Sequence, residues 1–85
     1  MASGELLGKV THFYDKINVA VIRLDRTVKA GESVHFLGRN TDFQQAIDSM
    51  QVEHQAVTEG APGTEVAVKV LQRVHAGDSV YRLNG

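Results

Sequence analysis

Cysteine is absent from this 85-residue chain, which removes disulfides, thiolate metal sites and cysteine nucleophiles together. Aromatic residues are few: Phe13, Tyr14, Phe36, Phe43 and Tyr81. They interleave with basic residues only in "HFYDK" (12–16), where a ring beside Lys16 could stack on a base. The bland alternative there is that one of Phe13 and Tyr14 points inward while the other lies on the surface. No stretch approaches the ~18 apolar residues of a membrane span, and "MASGELLGKV" lacks the charged leader and apolar run of a signal peptide. With neither leader nor cysteine, cytoplasmic location is the expectation. Nine Lys+Arg against ten Asp+Glu leave a formal charge of -1, so the overall field does not favour polyanions and any nucleic-acid contact must be local. A phosphate-cradling Gly-x-x-x-x-Gly-Lys-Ser/Thr is also missing; "GAPGT" lacks the lysine and the hydroxyl, and GTP binding is not expected.

The remaining composition, 42% apolar and 22% charged, is that of an ordinary globular chain. A chain of this length allows one domain over residues 1–85, with 1–4 expected to be flexible, and buries roughly 60–65% of its surface on folding.

A ten-residue phrase occurs twice. "KAGESVHFLG" (29–38) returns as "HAGDSVYRLNG" (75–85), so that Val28, Ala30, Gly31, Ser33, Val34 and Leu37 recur as Val74, Ala76, Gly77, Ser79, Val80 and Leu83, with Glu32 answered by Asp78. Glycine supplies a turn conformation closed to other residues, and the residues after it resume alternation. Each copy therefore reads as a turn that opens a strand.

β-Branched runs bounded by Gly, Asn, Asp or Pro mark "INVAVIRL" (17–24), "SVHFLG" (33–38), "TEVAVKVL" (64–71) and "SVYRLN" (79–84) as strands, and "ELLGKVTHFY" (5–14) adds a fifth. Val66, Val68 and Val70 are expected to share one face. Short strands at this spacing suit a closed barrel or a sandwich. Residues 41–60 are ambiguous: Phe43, Ile47, Met50, His54 and Val57 fall near helical spacing, with Thr41 or Asp42 as N-cap and Gly60 as a stop, yet "SMQVEHQAV" also alternates. "EGAPGT" (59–64), which holds the sole proline, reads as a loop.

Catalytic and metal constellations are not found. His12, His35, His54 and His75 lack the spacing that places two imidazoles on one metal, His12 with Asp15 being the nearest pair. Ser33, Ser49 and Ser79 lack a glycine elbow. The expectation is a protein that is not an enzyme, with no cofactor and no metal.

The order "GKV…NVAVIRL…TVKAGESVHFLG…DSMQVEHQAVTEGAPGTEVAVKVL…AGDSVY" resembles the second domain of the translational GTPases, the β-barrel that follows the G domain in elongation factor Tu and initiation factors, over about residues 8–83. It looks closest to small stand-alone translation-elongation-factor-like proteins, and a similar barrel also occurs at the C-terminus of collagenase-like peptidases. The resemblance implies an all-β fold, a small closed Greek-key barrel of about six strands, in which the 41–60 segment is extended.

It also implies a site. In elongation factor Tu this domain holds the 3′ end of aminoacyl-tRNA, and position-by-position transfer places Thr11, Phe13 and Asp15 on one wall, Gln51 and Glu53 on the second and Glu65 on the third. Asp15, Glu53 and Glu65 add negative charge near a phosphate-bearing ligand; at about 4 Å and an effective dielectric near 20, like charges repel by roughly 4 kcal/mol before screening. The implied function is a non-catalytic translation-factor-like barrel with a tRNA or RNA end, or a protein of the translation machinery, as partner. The alternative is a protein-interaction or assembly module with no nucleic-acid role, and no oligomeric state is implied.

Overall fold

The β-branched runs marked in the sequence fall largely in strands of the computed structural model. Its described residues, 3–83, form an all-β fold without a helix. The strands are β1 (Ser3–Tyr14), β2 (Val19–Leu24), β3 (Val28–Lys29), β4 (Ser33–Gly38), β5 (Thr41–Ala46), β6 (Met50–Val52), β7 (Gln55–Val57), β8 (Glu59–Gly60), β9 (Glu65–Lys69) and β10 (Ser79–Leu83). Of the four N-terminal residues expected to be flexible, Met1 and Ala2 lie outside the described residues, whereas Ser3 and Gly4 open β1. Among the described residues no helix is long and apolar enough to cross a membrane.

Eight strands form one antiparallel sheet in the order β5-β4-β10-β1-β2-β9-β6-β7, and β3 pairs with β8 apart from it. Alternation puts Ala20, Ile22 and Leu24 of β2 and Val66 and Val68 of β9 on the inner face, continued by Val70, as expected for the three valines. Leu7, Val10, Val34, Phe36, Phe43, Ile47, Met50, Val74 and Val80 complete the core, with the Phe36 and Phe43 rings stacked 5.0 Å apart.

The repeated phrase is one hydrogen-bonded device used twice. Gly31 (φ 95°) and Gly77 (φ 96°) occupy the third position of tight turns closed by Glu32 N–H to Lys29 O (3.2 Å) and Asp78 N–H to His75 O (3.0 Å). A positive φ at that position is what a type II turn requires and what glycine adopts without steric cost. The acid then reaches back: Glu32 accepts the Lys29 N–H (2.6 Å) and Asp78 accepts the His75 N–H (2.8 Å). Each turn also docks on a neighbouring strand in the same way. Gly31 N–H donates to Ile47 O (2.7 Å) and Ile47 N–H to Glu32 O (2.9 Å); Gly77 N–H donates to Val10 O (2.7 Å) and Val10 N–H to Asp78 O (2.9 Å).

The strands that the two turns open, β4 and β10, pair with each other. Ser79 lies opposite Leu37, and Tyr81 lies opposite His35, its own counterpart in the repeat. A local two-fold axis therefore passes through the His35–Tyr81 pair and relates β5-β4 to β1-β10.

A closed six-stranded barrel is not what forms. The sheet has two ends, β5 and β7, with no backbone ladder between them. At the open seam a side chain substitutes for a strand: the buried Gln45 of β5 donates from Nε2 to Lys69 O (2.9 Å) and accepts the Leu71 N–H on Oε1 (2.8 Å). The segment 41–60 is extended, not helical, and is divided into β5, β6 and β7. "EGAPGT" is a loop only in part, since Glu59–Gly60 pair with Val28–Lys29 before Pro62 and Gly63 (φ 84°) turn the chain.

Candidate functional site

Three outward-facing apolar residues, Val19 and Val21 on β2 and Ala67 on β9, lie side by side because Val21 pairs with Ala67 across the two strands. They floor an open groove of about 860 Å³. Tyr14 and Ile17, exposed by 49% and 58%, stand at one end of it. The opposite flank is Gln51 and Val52 of β6 with the β6–β7 turn, Glu53 and His54; Arg23, Glu65 and the Gly63–Thr64 turn close the third side.

A bulge in β1 decides which aromatic reaches the groove. Val10 pairs with Ile22 but His12 pairs with Val21, so Thr11 is the extra residue, and its Oγ1 donates to Val21 O (3.2 Å). Past a bulge the facing of the strand changes. Phe13 consequently packs on the core, while Tyr14 emerges beside His12, ring centroids 4.3 Å apart. This is the bland reading of the pair, one ring inward and one outward.

Of the six residues assigned to a ligand surface by resemblance, Gln51, Glu53 and Glu65 line the groove together. Thr11, Phe13 and Asp15 do not line it: Thr11 is spent on the bulge, Phe13 is part of the core packing, and Asp15 pairs with Arg73 (3.6 Å). Reading the sequence missed Tyr14, Ile17, Val19, Val21, Arg23, His54 and Ala67. A signal for the floor was present: "NVAVI" and "EVAV" are continuous apolar runs, the pattern of strands covered on both faces.

Two features set this groove apart. First, its rim side chains Arg23, Gln51, Glu53, His54 and Glu65, five of its polar residues, make no hydrogen bond or ion pair among the described residues. Arg23 and Glu65 face each other in register and still form no ion pair. A second cavity, lined by Glu5, Arg26, Thr27, Lys29, Glu32 and Arg82, shows the contrary. There Arg26 pairs with Glu5 (3.2 Å), and Arg82 pairs with Glu5 and Glu32 (3.4 Å each) and donates to Thr27 O (2.6 Å). Its arginines and glutamates are paired with one another. Second, Glu53 (φ 50°) and His54 (φ 67°) both adopt left-handed backbone in the two-residue β6–β7 hairpin, positions that favour Asn and Gly.

The histidines serve separate places. His35 pairs with Asp42 (2.6 Å), His75 lies 3.3 Å from the Thr41 hydroxyl and 3.7 Å from Asp78, and His54 lines the groove. Among the described residues no three His, Cys, Asp or Glu side chains gather as a metal site.

No family model matches the chain. It is 36% identical over 78 residues, 91% of its length, to the uncharacterized protease MJ0090 of Methanocaldococcus jannaschii, and spans 19% of that protein's length. Its fold matches the crystal structure of the "C-terminal domain of Geobacillus thermoleovorans putative U32 peptidase" with a TM-score of 0.89 at 20% identity, covering 94% of this chain and 93% of that one. The selenomethionine variant of that domain matches with a TM-score of 0.88, also at 20% identity, over 92% and 99%.

These similarities overturn the assignment to translation factors, and with it the tRNA-end function and the exclusion of a connection to enzymes. The motifs that carried that assignment solve backbone problems: Gly31, Gly63 and Gly77 all sit at positive φ in tight turns. Such turns report a β architecture, not an activity. The chain is thus similar in sequence to part of a protein named as a protease, and it has the fold of a U32 peptidase C-terminal domain.

Proposed function

We propose that this chain is a peptidase-associated β-domain whose groove holds polypeptide for a peptidase. The observation that carries the reading is the groove: an apolar floor on the outer face of β2 and β9, ringed by five polar side chains that have no partners among the described residues. A polypeptide supplies what both parts lack, apolar side chains for the floor and backbone amides for the rim. Similarity to a named protease over 91% of the chain supports the choice of polypeptide over other ligands.

The test is an amide NMR titration with an unfolded protein such as reduced, carboxymethylated lactalbumin. Shifts confined to Val19, Val21, Gln51, Glu53 and Ala67 are the expected result. Equal shifts with a CCA-ended RNA in place of polypeptide, or none with polypeptide at millimolar concentration, would reject the reading.

A further inference from the structure

The groove's charges are unequal. Glu53 and Glu65 carry two negative charges, Arg23 carries one positive charge, and none of the three is paired among the described residues. Elsewhere on the surface Asp15 meets Arg73 and Glu5 meets both Arg26 and Arg82, while Asp25, Asp48 and Glu59 resemble the groove acids in having no ion pair among the described residues. The two groove carboxylates thus stand in a net acidic rim against an apolar floor.

The hairpin holds two of the rim residues. A two-residue turn with both residues at positive φ is easiest for Asn-Gly, yet here it is Glu53-His54, at φ 50° and 67°. Backbone strain of this kind persists where the surrounding structure holds it, and it clusters at ligand-binding segments. Both strained residues line the groove. The turn gives up local ease and presents a carboxylate and an imidazole to the cavity.

Resting on the polypeptide reading above, we infer that the groove selects an extended segment in which an apolar side chain is followed by lysine or arginine. The apolar side chain covers Val19, Val21 and Ala67, and the neighbouring cation reaches the carboxylates of Glu53 and Glu65. Alternate residues of an extended peptide point to opposite sides, so adjacent residues reach floor and rim separately. Complementary charge sets the preference among peptides, and salt weakens it.

Three fluorescein-labelled peptides test this by polarisation with the 85-residue chain: Gly-Gly-Leu-Lys-Gly-Gly, the same with Glu for Lys, and the same with Gly for Leu. The Leu-Lys peptide is expected to bind roughly 2- to 5-fold more tightly than Leu-Glu, a ratio typical of one exposed charge contact at low salt. Glu53→Gln with Glu65→Gln should abolish that ratio while leaving thermal unfolding unchanged. Equal binding of Leu-Lys and Leu-Glu overturns the inference and leaves the polypeptide reading standing. Failure of every peptide to move groove amides at millimolar concentration overturns both. Concentration-dependent groove shifts in the chain alone would show that a second copy occupies the site, and would overturn the inference as well.

Discussion

The side-chain amide of Gln45 is seated against the backbone of Leu71: its Oε1 accepts the Leu71 N–H at 2.8 Å while its Nε2 donates to the adjoining Lys69 carbonyl at 2.9 Å. One side chain thereby makes the donor and acceptor contacts that a strand residue would make, where β5 and the chain beyond β9 approach without a ladder. Replacing Gln45 with Leu removes both hydrogen bonds to a backbone donor and acceptor that are only partly shielded from water, which should cost about 1 kcal/mol for each. Gln45→Glu keeps the acceptor and loses the donor. Urea unfolding should rank wild type above both variants, and hydrogen exchange at Leu71 should accelerate in Gln45→Leu.

The two glycine turns should fail alike. Gly31→Ala and Gly77→Ala each place a Cβ on backbone near φ 95°, with no heavy atom within 4 Å of the new methyl, so the cost is conformational and not steric crowding. Each is expected to lose about 1–2 kcal/mol, and thermal unfolding should show the two within a few tenths of a kcal/mol of one another. A large inequality would mean that the repeat is one of sequence only.

The acids in those turns should not fail alike. Asp78 is buried, accepts the Thr41 hydroxyl as well as the His75 N–H, and would collide with any side chain at Gly38. Glu32 is half-exposed and pairs also with Arg82. Asp78→Ala is expected to destabilise by about 2–3 kcal/mol and Glu32→Ala by about 1 kcal/mol or less, because a buried partner left unsatisfied costs more than an exposed ion pair. Denaturant midpoints decide it.

Relieving the β6–β7 hairpin should separate stability from recognition. Glu53→Asn together with His54→Gly installs the preferred residues at the two positive-φ positions, and should stabilise by about 1 kcal/mol or more. The same pair of changes removes Glu53 from the groove and should reduce the preference for the Leu-Lys peptide. Thermal unfolding and polarisation on one sample measure both.

Strands whose inner face is wholly apolar were legible in the sequence. β2, β4, β9 and β10 lie within the runs that β-branched residues marked, and the glycine turns open the strands expected of them. β5 was ambiguous for a physical reason. Its inner face carries Thr41 and Gln45 on either side of Phe43, two polar residues buried by specific partners, and this hides the period of two. Phe43, Ile47 and Met50 then mimic a helical stripe, although all three are buried from strands and a connecting loop. Three of the six assigned residues lie away from the groove, Phe13 because a single inserted residue, Thr11, reverses its facing, and a bulge leaves no mark in composition. The groove itself depends on register between β2, β9 and β6, which pattern reading does not supply.

The pairing of the two phrase copies bears on how the sheet is completed. β10 contains the last described residues, yet it lies between β4 and β1 in the interior of the sheet. A nascent chain that has not yet delivered Ser79 presents two naked borders, one along each of those strands, both rich in apolar side chains and ready to recruit foreign strands. Ser79–Leu83 thus act as the keystone of the sheet, and their removal would leave both borders open to strands of other molecules.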